Sequence, residues 1–542
     1  QTRVGTNAAN AARTANNFLQ FLDNLFAESG SSTGLQSVVQ TQQALHGTSL
    51  LRASDPEPLR LYASGGSITG LELFSGKFAR IAASQDISDI ALYLQNTRAS
   101  DMTIVSSGRD IIPYNANTPA RATSRSAGNM VSGGKAPLAG DIQINGPGTL
   151  AVLAGRNLDL GLGENNPDGT GVGLTSIGNA RNPNLPFQGA DIIAAAGLGN
   201  FATLHIDPFV QKFIKGEKGA TRLSEASSKN KNLPSNLTPA SFDALDSETK
   251  TRVALEVFYL VLRDSGRAKS EAGGEPYTEG LEAIDLLFGE SEYSGDILTR
   301  SRDIRTRSGG AISLLAPGGS LELATSTIGS PLTPPGIVTE AGGAISIFAD
   351  GDVDIGISRI FTLRGGDQII WSSTGDIAAG SSSKTVQSAP PTRVLIDPQS
   401  AALNVDLGGL ATGGGIGVLA SVEGVEPGDV DLIAPEGVVD AGDAGIRSTG
   451  NLNIAAVKVL NADNISTGGI SAGVPTAPTA AAPNIAGLTS GSNTVAAANA
   501  AAQSAADQNR PAADSASEPP SLITVEVLGY GGGEGDEESE EG

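Results

Sequence analysis

Apolar and polar residues alternate in short bursts along most of the chain, and a glycine opens nearly every burst. The phrase GGAISLLAPGGSLELA at 309–324 returns as GGAISIFADGDVDIGI at 342–357, 33 residues later. The shared template is glycine, small or polar, aliphatic, small or polar, aliphatic. Because strand side chains point alternately to opposite faces, this template predicts a short strand with both aliphatics on one face. The template begins at Gly140, Gly310, Gly319, Gly343, Gly351, Gly375, Gly428 and Gly450, and after one extra residue at Gly155.

A strand of this length cannot bury its apolar face alone, so the repeats predict a stack of coils. Two or three strands with their corners make a coil of roughly 20–30 residues, within the range of solenoid proteins. Successive coils would pair in parallel, and parallel crossovers are overwhelmingly right-handed. We therefore predict an all-β solenoid, a right-handed parallel β-helix.

Two other all-β folds fit the pattern less well. A β-sandwich predicts regularly spaced Asn-Gly or Asp-Gly hairpins, whereas Asp168-Gly169 and Asp350-Gly351 are irregularly placed. A β-propeller predicts an aromatic signature in every blade, and the chain has one Trp.

Helical periodicity appears in two places. Residues 1–50 predict a helical capping segment, in which the apolar positions fall on one helical face. These positions are Phe18, Phe21, Leu22, Leu25 and Phe26. Residues 209–293 predict a helical insertion, with helices at 251–268 and 276–290 and a start signal for a third at Thr238-Pro239.

These patterns divide the chain into six segments. The capping segment (1–50) precedes a first β-helical part (51–208), the insertion (209–293) and a second β-helical part (294–467). An Ala/Pro/Ser-rich linker (468–520) and a terminal strand with a low-complexity acidic tail (521–542) complete the chain. We expect the open sheet edges to be capped by the first helix and by the strand Leu522–Tyr530, and uncapped ends to associate end to end.

The amino-acid composition excludes some kinds of site and disfavours some partners. The chain has 70 Gly and no Cys, so disulfides and cysteine-based metal sites are excluded. Its formal net charge of −23 disfavours nucleic acid as a partner. No apolar run is long enough to predict a membrane span.

Few residues suggest catalysis or metal binding. The two histidines, His46 and His205, lie in different local sequences. Gly469–Gly473 matches the sequence of a nucleophile elbow but lacks the strand–turn–helix context.

Asp350, Asp352 and Asp354 are a candidate Ca²⁺ site, although the glycine and glutamate of an EF-hand loop are missing. We favour a solvated strand face for Asp352 and Asp354, and likewise for Asp429 and Asp431 around Val430 and for Asn157 and Asp159 around Leu158. We predict no catalytic residue and no cofactor.

Two further features suggest packing or binding. Trp371 is interpreted as an aromatic filler inside or beside the coil, with carbohydrate stacking as the alternative. The helical insertion, Thr251–Glu290, is expected to project from the rod and to carry a receptor or self-association contact.

Three phrases resemble the C-terminal region of filamentous-haemagglutinin-type exoproteins. They are GGDQIIWSSTGDIAAGSSSKT (365–385), DLIAPEGVVDAGDAGIRSTGNLNIAAVKVLNADNI (431–465) and ITVEVLGYGGG (523–533). The resemblance implies a β-helical rod exported by two-partner secretion through an outer-membrane transporter of a Gram-negative bacterium. Since no secretion domain precedes the repeats, we expect the chain to be the C-terminal part of a longer protein.

The function hypotheses belong to two classes. The resemblance implies a non-enzymatic secreted or cell-surface fibre protein acting in adhesion, aggregation or biofilm formation. Its partners would be the transporter and a host surface, neighbouring cell or matrix. The alternative is a β-helical polysaccharide lyase or hydrolase, which requires carboxylates converging on one exposed face.

Overall fold

The repeated strands wind into a three-faced stack. The fold was obtained as a computed structural model that describes residues 50, 53–115, 140–161, 173–180, 182, 184–270, 274, 276–289, 293–324, 335–381, 393–396, 403–406, 413–419 and 425–475. Each coil contributes one strand to a first, a second and a third face in turn, and every strand pairs in parallel with its equivalent in the next coil. An antiparallel pair, Arg393–Ile396 with Leu403–Asp406, is separate from this stack.

The strands are named here by face. The first face contains Leu59–Ala63, Ala79–Ala83, Met102–Ser107, Thr149–Ala154, Asp191–Ala195, Ile312–Ala316, Ile345–Ala349, Gln368–Ser372, the first parts of Val430–Asp440 and Leu452–Leu460, and Ser471–Ala472. The second contains Ile68–Thr69, Ile87–Ser88, Ile111–Ile112, Leu158–Asp159, Ile297–Leu298, Leu321–Glu322, Val353–Asp354, Ile377–Ala378 and the last parts of Val430–Asp440 and Leu452–Leu460. The third contains Glu72–Phe74, Ala91–Gln95, Ile142–Asn145, Leu174–Ser176, Ile304–Thr306, Gly336–Thr339, Arg359–Thr362, Gly415–Val418, Ile446–Ser448 and Ile465–Thr467.

The repeat shared by residues 309–324 and 342–357 sets the register of the stack. Ile312 pairs with Ile345 on the first face, and Leu321 pairs with Val353 on the second. The aliphatic pair of each template points inward: Ile312, Leu314, Val353 and their equivalents are buried in one continuous core. The prediction of a parallel β-helix built from glycine-opened units is therefore confirmed.

Polar side chains tie consecutive coils together at the corner before the second face. One side-chain oxygen accepts a hydrogen bond from the backbone N–H of the equivalent residue one coil later, at 2.7–3.2 Å. The acceptors are Ser67, Asp86, Asp110, Asn157, Asp296, Ser320, Asp352 and Asp376. A second ladder, before the first face, uses Asp367, Asp429 and Asn451 at 3.0 Å. Polar residues at these corners thus satisfy backbone donors where the chain turns.

The insertion leaves the stack at the corner after Asp191–Ala195 and returns at Ile297. It contains helices at Ile206–Phe209, Gly219–Lys229, Pro239–Asp243, Ser247–Ser270 and Thr278–Phe288, a 3-10 turn at Phe201–Thr203 and a π turn at Val210–Ile214. A second 3-10 turn, Ala462–Asn464, lies in a later coil. The helices therefore begin before the range 209–293 predicted for the insertion.

The helix Ser247–Ser270, called the long helix below, runs along the outside of the first face. Near its start, Glu248 contacts Arg80 of the second coil, and at its end the Ser270 hydroxyl donates to the Ile454 carbonyl of the tenth coil at 3.0 Å. Its 24 residues span about 36 Å, and eight coil steps of about 4.8 Å span about 38 Å. One helical turn therefore accompanies roughly each coil.

This contact creates a second apolar core outside the coils. The outward side chains Leu153, Leu315, Phe348, Trp371 and Ile433 are buried with the apolar residues of the helices. Trp371 is 0% exposed and packs edge-to-face on Tyr277 at 5.9 Å. The interpretation of Trp371 as a filler beside the coil is confirmed. The expectation of a projecting insertion is wrong, because the long helix has to bury an apolar stripe and the first face offers a matching one.

Glu256 of the long helix predicts a pH dependence of stability. Burial, and then the negative charge of Asp191, raise the pKa of Glu256 from 4.5 to about 7, against a hydrogen bond from Asn230 and the charges of Arg252 and Lys229. Between these two pH values the folded state binds the extra proton, so Glu256 lowers stability as the pH rises. We expect Glu256→Gln to have the same free energy of unfolding as the wild type at pH 4.5. At pH 8 its free energy of unfolding should be about 2 kcal/mol higher than that of the wild type.

Denaturant unfolding at both pH values measures this difference, and the comparison at pH 4.5 serves as the internal control. An equal difference between variant and wild type at the two pH values would contradict the prediction.

Several predicted segments lie outside the described residues. These are the capping segment up to residue 49, His46, Asp168-Gly169, Glu290, and everything after residue 475, including most of the linker, the strand Leu522–Tyr530 and the acidic tail.

Candidate functional site: a groove at the first coils

The long helix and its neighbours leave the outer side of the first three coils uncovered, and a groove of about 690 Å³ opens there. One wall is the first face, with Tyr62, Arg80 and Ile104 from successive strands. The other wall is the start of the insertion, from Asn200 to Pro208, together with the first turn of the long helix. The groove exists because the first turn of the long helix contacts the early coils only through a polar pair, and the apolar packing of the helices on the first face begins further along.

The floor of the groove is apolar and its rim carries an ion pair. Leu153 and Leu204 are buried, Ile104 and Phe201 are half-buried, and Tyr62 is 60% exposed. Arg80 Nη2 donates to both carboxylate oxygens of Glu248, at 2.5 and 2.6 Å. The groove can therefore accept large apolar side chains beside a polar edge.

A second cavity of about 530 Å³ continues the groove past the same ion pair. The two cavities share Tyr62, Arg80 and Glu248. The second is lined by the segment Pro56–Pro58, where the chain enters its first strand, and by Arg98 and Asp246. Together they form a channel along the first three coils. Sequence reasoning missed it because no motif marks these residues.

The candidate calcium ligands do not form a cluster. The structure finds no group of three or more His, Asp or Glu side chains able to hold a metal among the residues it describes. Asp352 and Asp354 are both exposed, as expected for a solvated strand face. Each also has a structural role, since Asp352 Oδ1 accepts from Asp376 N at 2.8 Å and Asp354 Oδ1 from Gly356 N at 2.8 Å.

Substitution of Asp352 distinguishes its role as a backbone hydrogen-bond acceptor from a role as a calcium ligand. Asp352→Ala removes the acceptor for Asp376 N and is expected to cost about 1 kcal/mol of unfolding free energy. Asp352→Asn keeps an oxygen acceptor and should stay close to wild type, whereas loss of a carboxylate would weaken a calcium ligand. Thermal unfolding with and without Ca²⁺ measures both. Equal stability of the alanine variant and wild type would contradict the ladder role, and a calcium-induced stabilisation of wild type that Asp352→Asn abolishes would instead show that Asp352 binds calcium.

The structure does not bring the residues considered for catalysis together. His205 is exposed in the groove beside the early coils, where its backbone N–H donates to the Leu287 carbonyl at 2.8 Å. Ser471, in the middle of Gly469–Gly473, is exposed in the last described strand, paired with Leu452. The residues Gly469–Gly473 therefore lie at and around a short strand, at the opposite end of the stack from His205.

One predicted surface acid is buried. Asp431 is 0% exposed on the outer side of the first face, and Arg267 of the long helix binds it through two hydrogen bonds of 2.7 Å. Burial raises the pKa of Asp431, and the contact with Arg267 works against this. The prediction of a solvated Asp431 is wrong, because the strand template fixes which side is outward but not whether a helix covers it. Asp429, which also accepts from Arg267 at 3.0 Å, is only partly buried.

No helix in the described part of the chain is long and apolar enough to cross a membrane.

Comparison with known proteins gives one match. Residues 365–476 match the family model described as filamentous haemagglutinin family outer membrane protein. This segment includes two of the three phrases on which the resemblance was based, and it confirms the resemblance there. No curated protein and no solved structure matches the chain.

Proposed function

We propose that the chain is a non-enzymatic rod of the bacterial cell surface that acts in adhesion, aggregation or biofilm formation. The single observation that carries the proposal is the family match over residues 365–476. The parallel stack supports it, because stacked coils bury a continuous core and give a stiff, extended element. The aspartates at the corners accept hydrogen bonds from backbone N–H groups of the next coil, which fits a structural role for these residues.

The same match supports secretion through an outer-membrane two-partner transporter and an extracellular location in a Gram-negative bacterium. The partners would be a host or neighbouring cell surface, matrix, or other copies of the chain.

Attachment of protein-coated beads tests the proposal. Beads carrying the folded chain are offered to bacterial cells, epithelial monolayers, immobilised matrix proteins and beads carrying the same chain. The control beads carry an unrelated parallel β-helical protein of similar net charge. We expect attachment above this control on at least one surface, and attachment equal to the control on all of them would overturn the adhesive role.

Turnover tests the non-enzymatic part of the proposal. A panel of acidic and neutral polysaccharides is incubated with the chain, with and without Ca²⁺, and assayed for new reducing ends and unsaturated products. We expect none. Products that disappear when surface carboxylates are changed to alanine would favour a polysaccharide lyase or hydrolase instead.

A further inference from the structure

The groove at the first coils is an incomplete part of the second apolar core. Across the later coils, the outward column of the first face runs through Leu153, Leu315, Phe348 and Trp371 beneath helices. In the first three coils the same column continues as Tyr62, Ala82 and Ser106, which line the open groove. Among the residues that the structure describes, this face is therefore covered by helices for most of its length and open at one end.

The chain itself enters at this end. Arg98 Nη2 donates to the Ala53 carbonyl at 2.6 Å, beside the third coil, and Lys77 pairs with Asp55 beside the second. Residues 53–58 thus pass in front of the coils, and Pro56–Pro58 line the second cavity before the first strand begins. Ala53 therefore lies near the mouth of the channel.

The preceding sequence has the chemistry to fill the groove. Phe18, Phe21, Leu22, Leu25 and Phe26 share one helical face and place five large apolar side chains within nine residues. Roughly 26 residues separate Phe26 from Ala53, which reach about 85 Å when extended, so the connection sets no limit on docking. Glycine and serine at 30–34 predict the end of this helix.

A positive charge also lies at the rim of the groove. Arg80 lines the groove and binds Glu248 through Nη2, and its side chain is 16% exposed. The last turn of a helix presents carbonyl groups that need donors, and a guanidinium there is favourable.

We propose that residues 18–26 form a helix that docks through this apolar stripe into the groove lined by Tyr62, Ala82, Ile104 and Phe201, and extends the helical cover of the first face over the first three coils. Docking within one chain has a high effective concentration, so the groove would be filled in the isolated protein. The segment is thus a side cover for the first face, and not only a cap on the edge of the first coil.

Engineered cysteine pairs test this docking, since the native chain contains no Cys. In the full chain, Leu22→Cys combined with Ala82→Cys places one thiol on the stripe and one in the groove. Gln20→Cys with Ala82→Cys is the matched control, because Gln20 lies on the opposite side of the same helix. Under mild oxidation we expect the first pair to form an intrachain disulfide at least about fivefold faster than the second.

Every outcome decides the proposal. Equal rates for the two pairs, no cross-link with either pair, or cross-links only between two chains would overturn it; the last would assign the groove to a second copy. A second measurement uses Ala82→Cys alone, whose alkylation should be about tenfold slower than after a further Leu22→Asp change. Gly65→Cys, at an open corner, gives the unprotected rate, and unchanged Trp371 fluorescence confirms that each variant is folded.

Discussion

Replacing Arg267 by alanine is expected to destabilise the folded protein by about 3 kcal/mol, the lower end of the range for loss of one partner of a buried ion pair, because Asp431 is fully buried but Arg267 is 38% exposed. Asp431 would remain 0% exposed beneath the long helix, without the two hydrogen bonds of 2.7 Å that now satisfy its carboxylate. The cost arises from the stranded charge, since moving Asp431 into water requires the end of the long helix to leave the first face.

The pH dependence identifies the stranded charge as the cause. Burial already raises the pKa of Asp431, and removal of Arg267 takes away the main group that opposes this effect, so that only the more distant charge of Arg263 still opposes it. Folding of the variant should therefore take up a proton on Asp431 as the pH falls, and its deficit relative to wild type should be smaller at pH 4.5 than at pH 8.

Denaturant unfolding followed by Trp371 fluorescence and by circular dichroism measures the effect. The single Trp lies between the first face and the last helix of the insertion, so its signal reports this contact. Arg60→Ala is the control, because Arg60 forms a solvent-exposed pair with Glu57 and its loss should leave unfolding near wild type. The double change Arg267→Met with Asp431→Leu should recover most of the loss. A deficit of the same size at both pH values, with no recovery in the double variant, would contradict this explanation.

The interior of the coils could be predicted from sequence because it depends on local alternation. In Ile312–Ala316, the inward residues Ile312 and Leu314 follow directly from the template. The outer cover left a weaker signal, since Leu315 and Trp371 are apolar residues at outward positions that a solvated face would not need. Such runs, apolar on both faces, are typical of parallel strands covered on both sides. They indicate that a cover exists but not which segment provides it.

The groove could not be predicted because it depends on lengths compared in three dimensions. The long helix reaches the second coil only through Glu248, and its apolar packing begins further along. The long helix has 24 residues, and the coil beside which it starts determines which strands of the first face it covers. Asp354 and Asp431 show the same limit, because each is the fourth residue of its template while Asp354 is exposed and Asp431 is buried.

Small residues are what permit this close cover. A Cβ on Gly266 would lie 2.3 Å from Ile433, and one on Gly280 would lie 2.7 Å from Trp371. The helices therefore approach the sheet through glycine, and large outward side chains fill the space on either side. The helical segment thus forms a second apolar core with the outer side of the first face and is not an appendage to the β-helix.

Gly343→Ala is the second change expected to have a large effect, at about 3–4 kcal/mol of unfolding free energy. Gly343 has φ +98°, and an added Cβ would lie 2.2 Å from the Gly310 carbonyl oxygen of the previous coil. The backbone conformation alone costs about 1–2 kcal/mol for an L-residue, and forcing an atom against a packed backbone adds about 1–3 kcal/mol. The clash cannot relax locally, because the same corner stacks Gly310, Gly343, Gly366 and Gly428 with each Cβ position against the carbonyl before it.

Three further glycines separate the two contributions. Gly70 has φ +72° with nothing within 4 Å of its Cβ position, Gly428 has the close carbonyl at 2.1 Å without a positive φ, and Gly65 has neither. Alanine at Gly65 should be neutral or slightly stabilising, because it reduces the freedom of the unfolded chain. Alanine at Gly70 should cost the conformational part, at Gly428 the steric part, and at Gly343 approximately both. If all four variants lost similar stability in denaturant unfolding, the stacked corner would not be the reason that glycine opens the repeat.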